Sequence, residues 1–293
     1  MEKPVVSVII PTRGRPGYLD VALASVTPQA TAAEAEVVVV DDGADPATEA
    51  VAARYPPVRV VSLRDARGVN GARNAGIREA RGDLIVLLDD DVQVPPGWLD
   101  AILDGVRATH DCEVFGGPIK ARLEGRALRS CGREPPPIST YDFGAEDRDV
   151  QYVYGGNTAF RRSAFERVGY FDEALSGSGD EEEWVRRYTA SGGRIRYLAA
   201  ANLFHRRSEA DARLAALVRA AYRRGREARR HDGRVDRNRS IRADVRVLAG
   251  CAWHTVARRC AYGIVMGARA AGSLHEGLTG RWRRTTAEPR FAR

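Results

Sequence analysis

Residues 81–99, RGDLIVLLDDDVQVPPGWL, decide how the rest of the chain is read. Leu84 to Leu88 is an unbroken apolar run, long enough for one strand and too short for an isolated helix. Such a run marks a strand buried on both faces, as in a parallel sheet. It ends in Asp89, Asp90 and Asp91. Three adjacent carboxylates repel one another, so something positive has to sit beside them. Oxygen ligands at the end of a buried strand suit Mg²⁺ or Mn²⁺, with phosphate oxygens completing the shell. The C-terminal edge of a parallel sheet is also where α/β proteins hold ligands. Pro95-Pro96-Gly97 then breaks the chain, and Trp98-Leu99 opens a helix.

Upstream, the same grammar repeats. Val5 to Pro11 reads as a buried strand, followed by the polar turn Thr12 to Pro16 and a helix whose apolar face carries Leu19, Ala22, Leu23 and Val26. Glu36 to Val40 is a second buried strand, and it too ends in a pair of acids, Asp41-Asp42. A helix over Pro46 to Arg54, a strand over Val58 to Leu63 and a loop-to-helix segment over Gly68 to Ala80 lead into the central strand. This alternation predicts a parallel sheet flanked by helices. Downstream, the pattern predicts a helix over Trp98 to Thr109, a strand over Val114 to Ile119 and an irregular excursion over Arg122 to Asp149. A Gly155-Gly156-Asn157 turn sits between strand-like pieces, and short helical spacing covers Ser163 to Val168. Asp180 to Ser191 reads as a helix that starts with four acids after the Gly/Ser loop Ser176 to Gly179; acids suit a helix N-terminus. A last strand spans Arg196 to Phe204 and runs into His205-Arg206-Arg207.

Beyond Ser208 the character changes. The formal net charge of +7 sits mainly in this tail, and it is arginine charge: the only lysines are Lys3 and Lys120. Helical spacing covers Arg213 to Arg230, a break covers Gly233 to Arg239, and one long helix is expected over Ile241 to Ala271. The last residues, from about Arg281, are polar enough to be disordered. The division is therefore a domain over 1–207 and a basic helical extension over 208–293. The cysteines Cys112, Cys131, Cys251 and Cys260 make no CxxC pair and read as free thiols in a reducing compartment. No secretory signal opens the chain, and no run of about 18 uncharged apolar residues is present to span a membrane. The expected location is the cytoplasm. The tail helix sets Val245, Leu248, Ala252, Val256 and Trp253 against Arg242, Arg246 and Arg258. That pattern suits either peripheral contact with the inner face of a membrane or packing, on the catalytic domain or across a homodimer.

The pieces VSVIIPTRGRPGYLDVALASV, EVVVVDDGAD, GARNAGIREARGDLIVLLDDD, YGGNTAFRRSAFERVGYFDEAL, GDEEEWVRR and His205 occur in order between about Val5 and Arg207. Together they resemble the family-2 inverting glycosyltransferases, which have the GT-A fold, a Rossmann-like and mostly parallel central sheet flanked by helices. The resemblance implies transfer of a sugar from a UDP-, dTDP- or GDP-linked donor to a hydroxyl on a sugar, a lipid-linked molecule or a small molecule. It implies that Asp41 and Asp42 hold the base and ribose, with Asp42 the better match to the base contact. Pro11, Thr12, Arg15, Arg73 and Asn74 join the nucleotide-binding set. Asp89 and Asp91 match the DXD motif, with Asp91 the firmest ligand of Mn²⁺ or Mg²⁺, Asp89 and Asp90 near the nucleoside and diphosphate, and His205 a third ligand. Gly156 and Asn157 shape the acceptor side. The catalytic base is Asp180 or Glu181, because the acid string fits the family pattern in two registers.

Other classes fit less well. A sugar nucleotidyltransferase shares the general sheet, but Pro11 to Arg15 lacks its glycine-dense phosphate loop. A phosphatase of the haloacid-dehalogenase type wants Thr or Val where Gln93 stands. No GxGxxG follows the first strand. The arginine-rich tail allows a nucleic-acid binder, yet it interleaves few aromatics, so no nucleic-acid partner is expected.

Overall fold

The computed structural model describes residues 6–125, 127–132, 136–175, 180–234 and 240–279. The Gly/Ser loop expected over 176–179, most of the break expected over 233–239 and the terminus from 281 lie outside these residues, as does the side chain of Asp180. The chain forms two units: Met1–Gly125 with Ile138–Ala210, and Arg126–Pro137 with Asp211–Arg293. The boundary falls three residues later than the sequence suggests, and a piece of the expected excursion belongs to the second unit.

In the first unit, β1 (Val6–Thr12), α1 (Pro16–Ala32), β2 (Glu36–Asp42), α2 (Pro46–Ala52), β3 (Arg59–Leu63), α3 (Gly68–Glu79) and β4 (Leu84–Leu88) follow the expected alternation. Then come β5 (Val92–Gln93), α4 (Trp98–Ala108), β6 (Val114–Gly116), β7 (Ile119–Leu123), β8 (Arg148–Val150), β9 (Asn157–Arg161), α5 (Arg162–Val168), α6 (Asp180–Ala190), β10 (Ile195–Tyr197) and β11 (Leu203–Arg207). The main sheet has the order β3-β2-β1-β4-β9-β6-β10-β8, and a small sheet has the order β5-β11-β7. Strands β1 to β4 run parallel, whereas β9 is antiparallel to both β4 and β6. Both faces of the main sheet are covered. Val8, Ile10, Val39, Val86 and Leu88 pack with Leu19, Leu23, Trp98 and Ile102 on one side; Ile9, Val38, Val40, Ile85 and Leu87 pack with Ile77, Phe160 and Trp184 on the other. Successive strand residues alternate faces, so two covered faces demand the unbroken apolar runs seen in the sequence.

Helix α1 runs beyond Val26, the last residue of its predicted apolar face, to Ala32 through Pro28. Gln29 helps hold this last stretch: its Nε2 donates to Ser25 O and Pro95 O, and its Oε1 accepts from Leu99 N–H. The single strand expected over Val114 to Ile119 is two strands in two sheets, as is the one expected over Arg196 to Phe204. The expected excursion contains parts of β7 and β8.

The second unit contains α8 (Leu214–Arg234), α9 (Ile241–Ala257) and α10 (Ala261–Thr279); the short α7 (Glu209–Ala212) crosses the boundary. The long helix expected over Ile241 to Ala271 is thus two helices, separated at Arg258–Cys260, where Arg259 takes a positive φ of 50°. Helices α8 and α10 approach closely: a Cβ on Gly225 would sit 2.0 Å from Arg269 O, and one on Gly272 2.1 Å from Tyr222 O.

Candidate functional site

The β1–β2 register places Thr12 beside Asp41, and the β1–β4 pairing brings the acids after Leu88 to the same sheet edge. Pro11 is buried in β1 opposite Val40. Thr12 Oγ1 donates to Asp90 Oδ2 at 2.6 Å. Arg15, at the start of α1, donates from Nε to Asp90 Oδ2 and from Nη1 to Asp91 Oδ2, both at 3.1 Å.

The small sheet delivers His205. Strand β5 follows the acids directly and pairs antiparallel with β11, with His205 opposite Val92. Arg206 N–H donates to the Asp91 carbonyl at 2.8 Å. His205 and Arg207 are two apart and share a strand face. His205 Nε2 lies 3.5 Å from Asp91 Oδ2, and Arg207 Nη1 donates to the same oxygen at 2.6 Å. His205 Nδ1 lies 3.0 Å from the Ser139 carbonyl, which can only accept, so Nδ1 carries a hydrogen. In the neutral ring Nε2 then presents its lone pair to a carboxylate. Two electron-rich atoms at that distance need a proton or a cation between them, and a backbone-anchored imidazole is the usual form of a histidine metal ligand. Among the described residues no three His, Cys, Asp or Glu side chains are gathered to hold a metal unaided. One carboxylate and one imidazole suit a divalent ion that takes its remaining ligands from elsewhere.

The three carboxylates are not equivalent. Asp90 is fully buried, and burial pushes it up to about 7 against the charge of Arg15. For Asp91 burial is outweighed, first by His205 and then by Arg207 and Arg15, and its carboxyl lies well below the usual range. The Asp89 side chain is 39 % exposed, and Arg73 Nη2 is 3.7 Å from its Oδ1. Arg73 is buried on α3, and its Nη1 stands 3.7 Å from Glu181 Oε2 on α6, whose side chain is 14 % exposed. One buried guanidinium thus faces both a DXD acid and a candidate base. Glu183, two positions on, pairs with Arg187 at 2.7 Å. Trp184 is fully buried, as expected, and donates to Gly169 O.

Other expected site residues turn inward. Asp42 accepts the backbone N–H groups of Arg67 and Gly68 at 2.6 and 3.0 Å, so it ties down the entry to α3. Asp41 accepts from Asp45 N–H through Oδ2 and buries Oδ1 with no hydrogen-bond partner among the described residues; burial raises its carboxyl. Of the pair, Asp41 has the oxygen to spare. Asn74 is buried and pins Phe171 through both its amide groups. Asn157 accepts from Trp98 Nε1 and donates to Pro118 O and Ala201 O, so its amide is consumed within the fold. Gly156 packs against Asp89: a Cβ there would sit 2.3 Å from Oδ2.

Sequence reasoning missed Arg207 and Tyr152. Strand alternation from His205 would have found the first. Tyr152 stacks edge-on with Tyr154, ring centroids 5.2 Å apart; burial, then the charge of Glu181, raises its hydroxyl.

Comparison with known proteins now decides the class. The family model described as "Glycosyl transferase family 2" matches residues 7–169. The chain belongs to glycosyl transferase family 2. Among curated relatives, it is 26 % identical over 184 residues to the glucosyl-dolichyl phosphate glucuronosyltransferase of Haloferax volcanii, covering 58 % of this chain and 59 % of that protein. It is 33 % identical over 171 residues to the succinoglycan biosynthesis protein ExoO of Rhizobium meliloti, covering 54 % and 48 %. Both matches span less than two thirds of the relative's length. Among solved structures, GalNAc-T7, crystallised with UDP, GalNAc and Mn²⁺, superimposes with a TM-score of 0.55 at 18 % identity over 75 % of this chain and 48 % of that one. S. aureus TarS superimposes with a TM-score of 0.53 at 21 % identity, covering 74 % and 39 %. The fold is that of the GT-A glycosyltransferases, with C-terminal helices added.

Proposed function

We propose that this family-2 glycosyltransferase moves a sugar, with inversion, from a nucleoside-diphosphate sugar to an acceptor hydroxyl. The observation that carries the reading is Arg73 standing 3.7 Å from both Asp89 and Glu181, which ties the donor-side acids to one carboxylate on the opposite helix. Glu181 is the base: its carboxylate takes the proton of the acceptor hydroxyl as that oxygen attacks the anomeric carbon and the diphosphate leaves from the other face. Arg73 positions it. Asp41, through its unpartnered oxygen, receives a donor of the base or ribose. Thr12 and Arg15 hold Asp90, so the buried acid keeps its place when the donor binds. Tyr152 and Tyr154 wall the acceptor side beside Glu181. Asp91 and His205 would hold Mn²⁺ or Mg²⁺, and such an ion would supply charge neutralisation for a diphosphate leaving group.

A thermal-shift panel of UDP, dTDP and GDP, each with Mn²⁺ and with chelator, tests the reading. One diphosphate stabilises the protein strongly with metal and weakly without it. No shift with any of them, or the same shift in chelator, overturns the donor and metal assignments.

A further inference from the structure

Helix α9 is built inside out. Its only acid, Asp244, is buried, where it accepts from Arg229 Nη1 at 3.2 Å and Ser273 Oγ at 3.0 Å. Cys251 is buried as well, and Thr255 on the same side turns its hydroxyl back onto the Cys251 carbonyl. An apolar stripe beside this buried face is turned outward. Val245 is 51 % exposed, Trp253 66 % and Val256 79 %, with Ile241 exposed beside them. At 100° per residue, Ile241, Val245, Ala249, Ala252 and Val256 form one stripe. Ala249 and Ala252 are exposed too, so the stripe is continuous. Arg242 and Arg246 flank it, and Arg258 and Arg259 follow at its end, all exposed and with no ion pair among the described residues. A soluble helix normally turns its apolar side to the core and its polar side to water; α9 does the reverse along about 25 Å of helix.

We propose that this face docks α9 in the plane of an anionic membrane surface. The apolar stripe and Trp253 enter the headgroup–acyl boundary while the four arginines meet anionic headgroups. The charge pattern selects this occupant. A second copy paired through a two-fold axis would bring the same four arginines together, and α9 exposes no carboxylate to answer them. A nucleic acid would satisfy the arginines but leave the valine stripe in water. No described helix is long and apolar enough to cross a membrane, so the contact is interfacial. The proposal stands on the second unit alone and does not depend on the reaction assigned to the first.

The test is co-sedimentation of the full-length protein with vesicles of phosphatidylcholine alone or mixed with phosphatidylglycerol. The protein pellets with the mixed vesicles at low salt, stays soluble with the neutral ones, and is released as salt rises. Arg242→Gln with Arg246→Gln lowers partitioning about 30-fold, about fivefold for each arginine. Val256→Asp lowers it by roughly tenfold or more. Both variants keep the parent melting temperature, because the substituted side chains are exposed, and both keep the thermal shift with nucleoside diphosphate. The proposal is overturned by no pelleting with anionic vesicles at low salt, by partitioning that Val256→Asp leaves unchanged, or by a dimer in sedimentation velocity that Val256→Asp abolishes while vesicles are ignored. Duplex DNA binding that survives Val256→Asp and exceeds vesicle binding overturns it in favour of a nucleic acid.

Discussion

Both units bury acids against arginines, and they do so to opposite ends. In the helical unit two acids are held by arginines of a neighbouring helix. Glu276 accepts from Arg226 Nε and Arg230 Nε at 2.8 Å and from Arg230 Nη2 at 3.0 Å, and Asp244 takes Arg229 and Ser273. In the catalytic unit the acids are crowded and incompletely answered. Asp89, Asp90 and Asp91 are consecutive, and Asp89 is partly open. Arg73 meets two carboxylates at 3.7 Å, too far for a good hydrogen bond to either. Removing one partner of a buried pair strands the other charge, whereas crowded acids are held by the fold at a cost.

This contrast breaks if acids of the two units respond alike to neutralisation. The largest expected effect is on turnover. Glu181→Gln lowers kcat about 10²–10⁴-fold, leaves the melting temperature in place and leaves nucleotide binding intact by calorimetry. Normal turnover moves the base elsewhere. Asp244→Ala does the opposite: it strands Arg229 in the helical unit and costs about 3–5 kcal/mol of stability, read in denaturant unfolding. Asp91→Asn removes the metal-linked part of the diphosphate thermal shift, about 2.7 kcal/mol when ligand is a hundredfold above its Kd.

The smallest effect sharpens the comparison through its sign. Hydrogen bonds from Arg230, opposed by burial and aided by Arg226, lower Glu276. Its contribution is present above the ordinary carboxylate range and lost as pH falls through its depressed value. Burial raises Asp41, so its folded form prefers the proton, and stability falls as pH rises from the ordinary carboxylate range through its raised value. At neutral pH Glu276→Gln therefore lowers the melting temperature by a few degrees, while Asp41→Asn raises it or leaves it level. Both differences fade on acidification, and melts of the two variants against the parent from neutral to acid pH read the opposite signs.

What the sequence alone determined is whatever one face or one strand can encode. Strand β4 has the limits Leu84–Leu88 that its apolar run predicts, because a strand covered on both sides has no position for a polar residue. The alternation through α4, the acids at the strand ends and the family motifs are likewise local. Long-range pairing decided the rest. The segments 114–119 and 196–204 each read as one strand but split between two sheets, because the register of β11 against β5 and β7 lies in partners far along the chain. That register brings Arg207 and His205 onto Asp91, 116 residues from Arg207, and answers one carboxylate of the triplet. The sequence favours Asp42 for the base contact, but the entry to α3 consumes that carboxylate. Helix α9 shows the same division: its periodicity reveals two faces, but which face turns outward was decided by Arg229 and Ser273, on neighbouring helices, claiming Asp244.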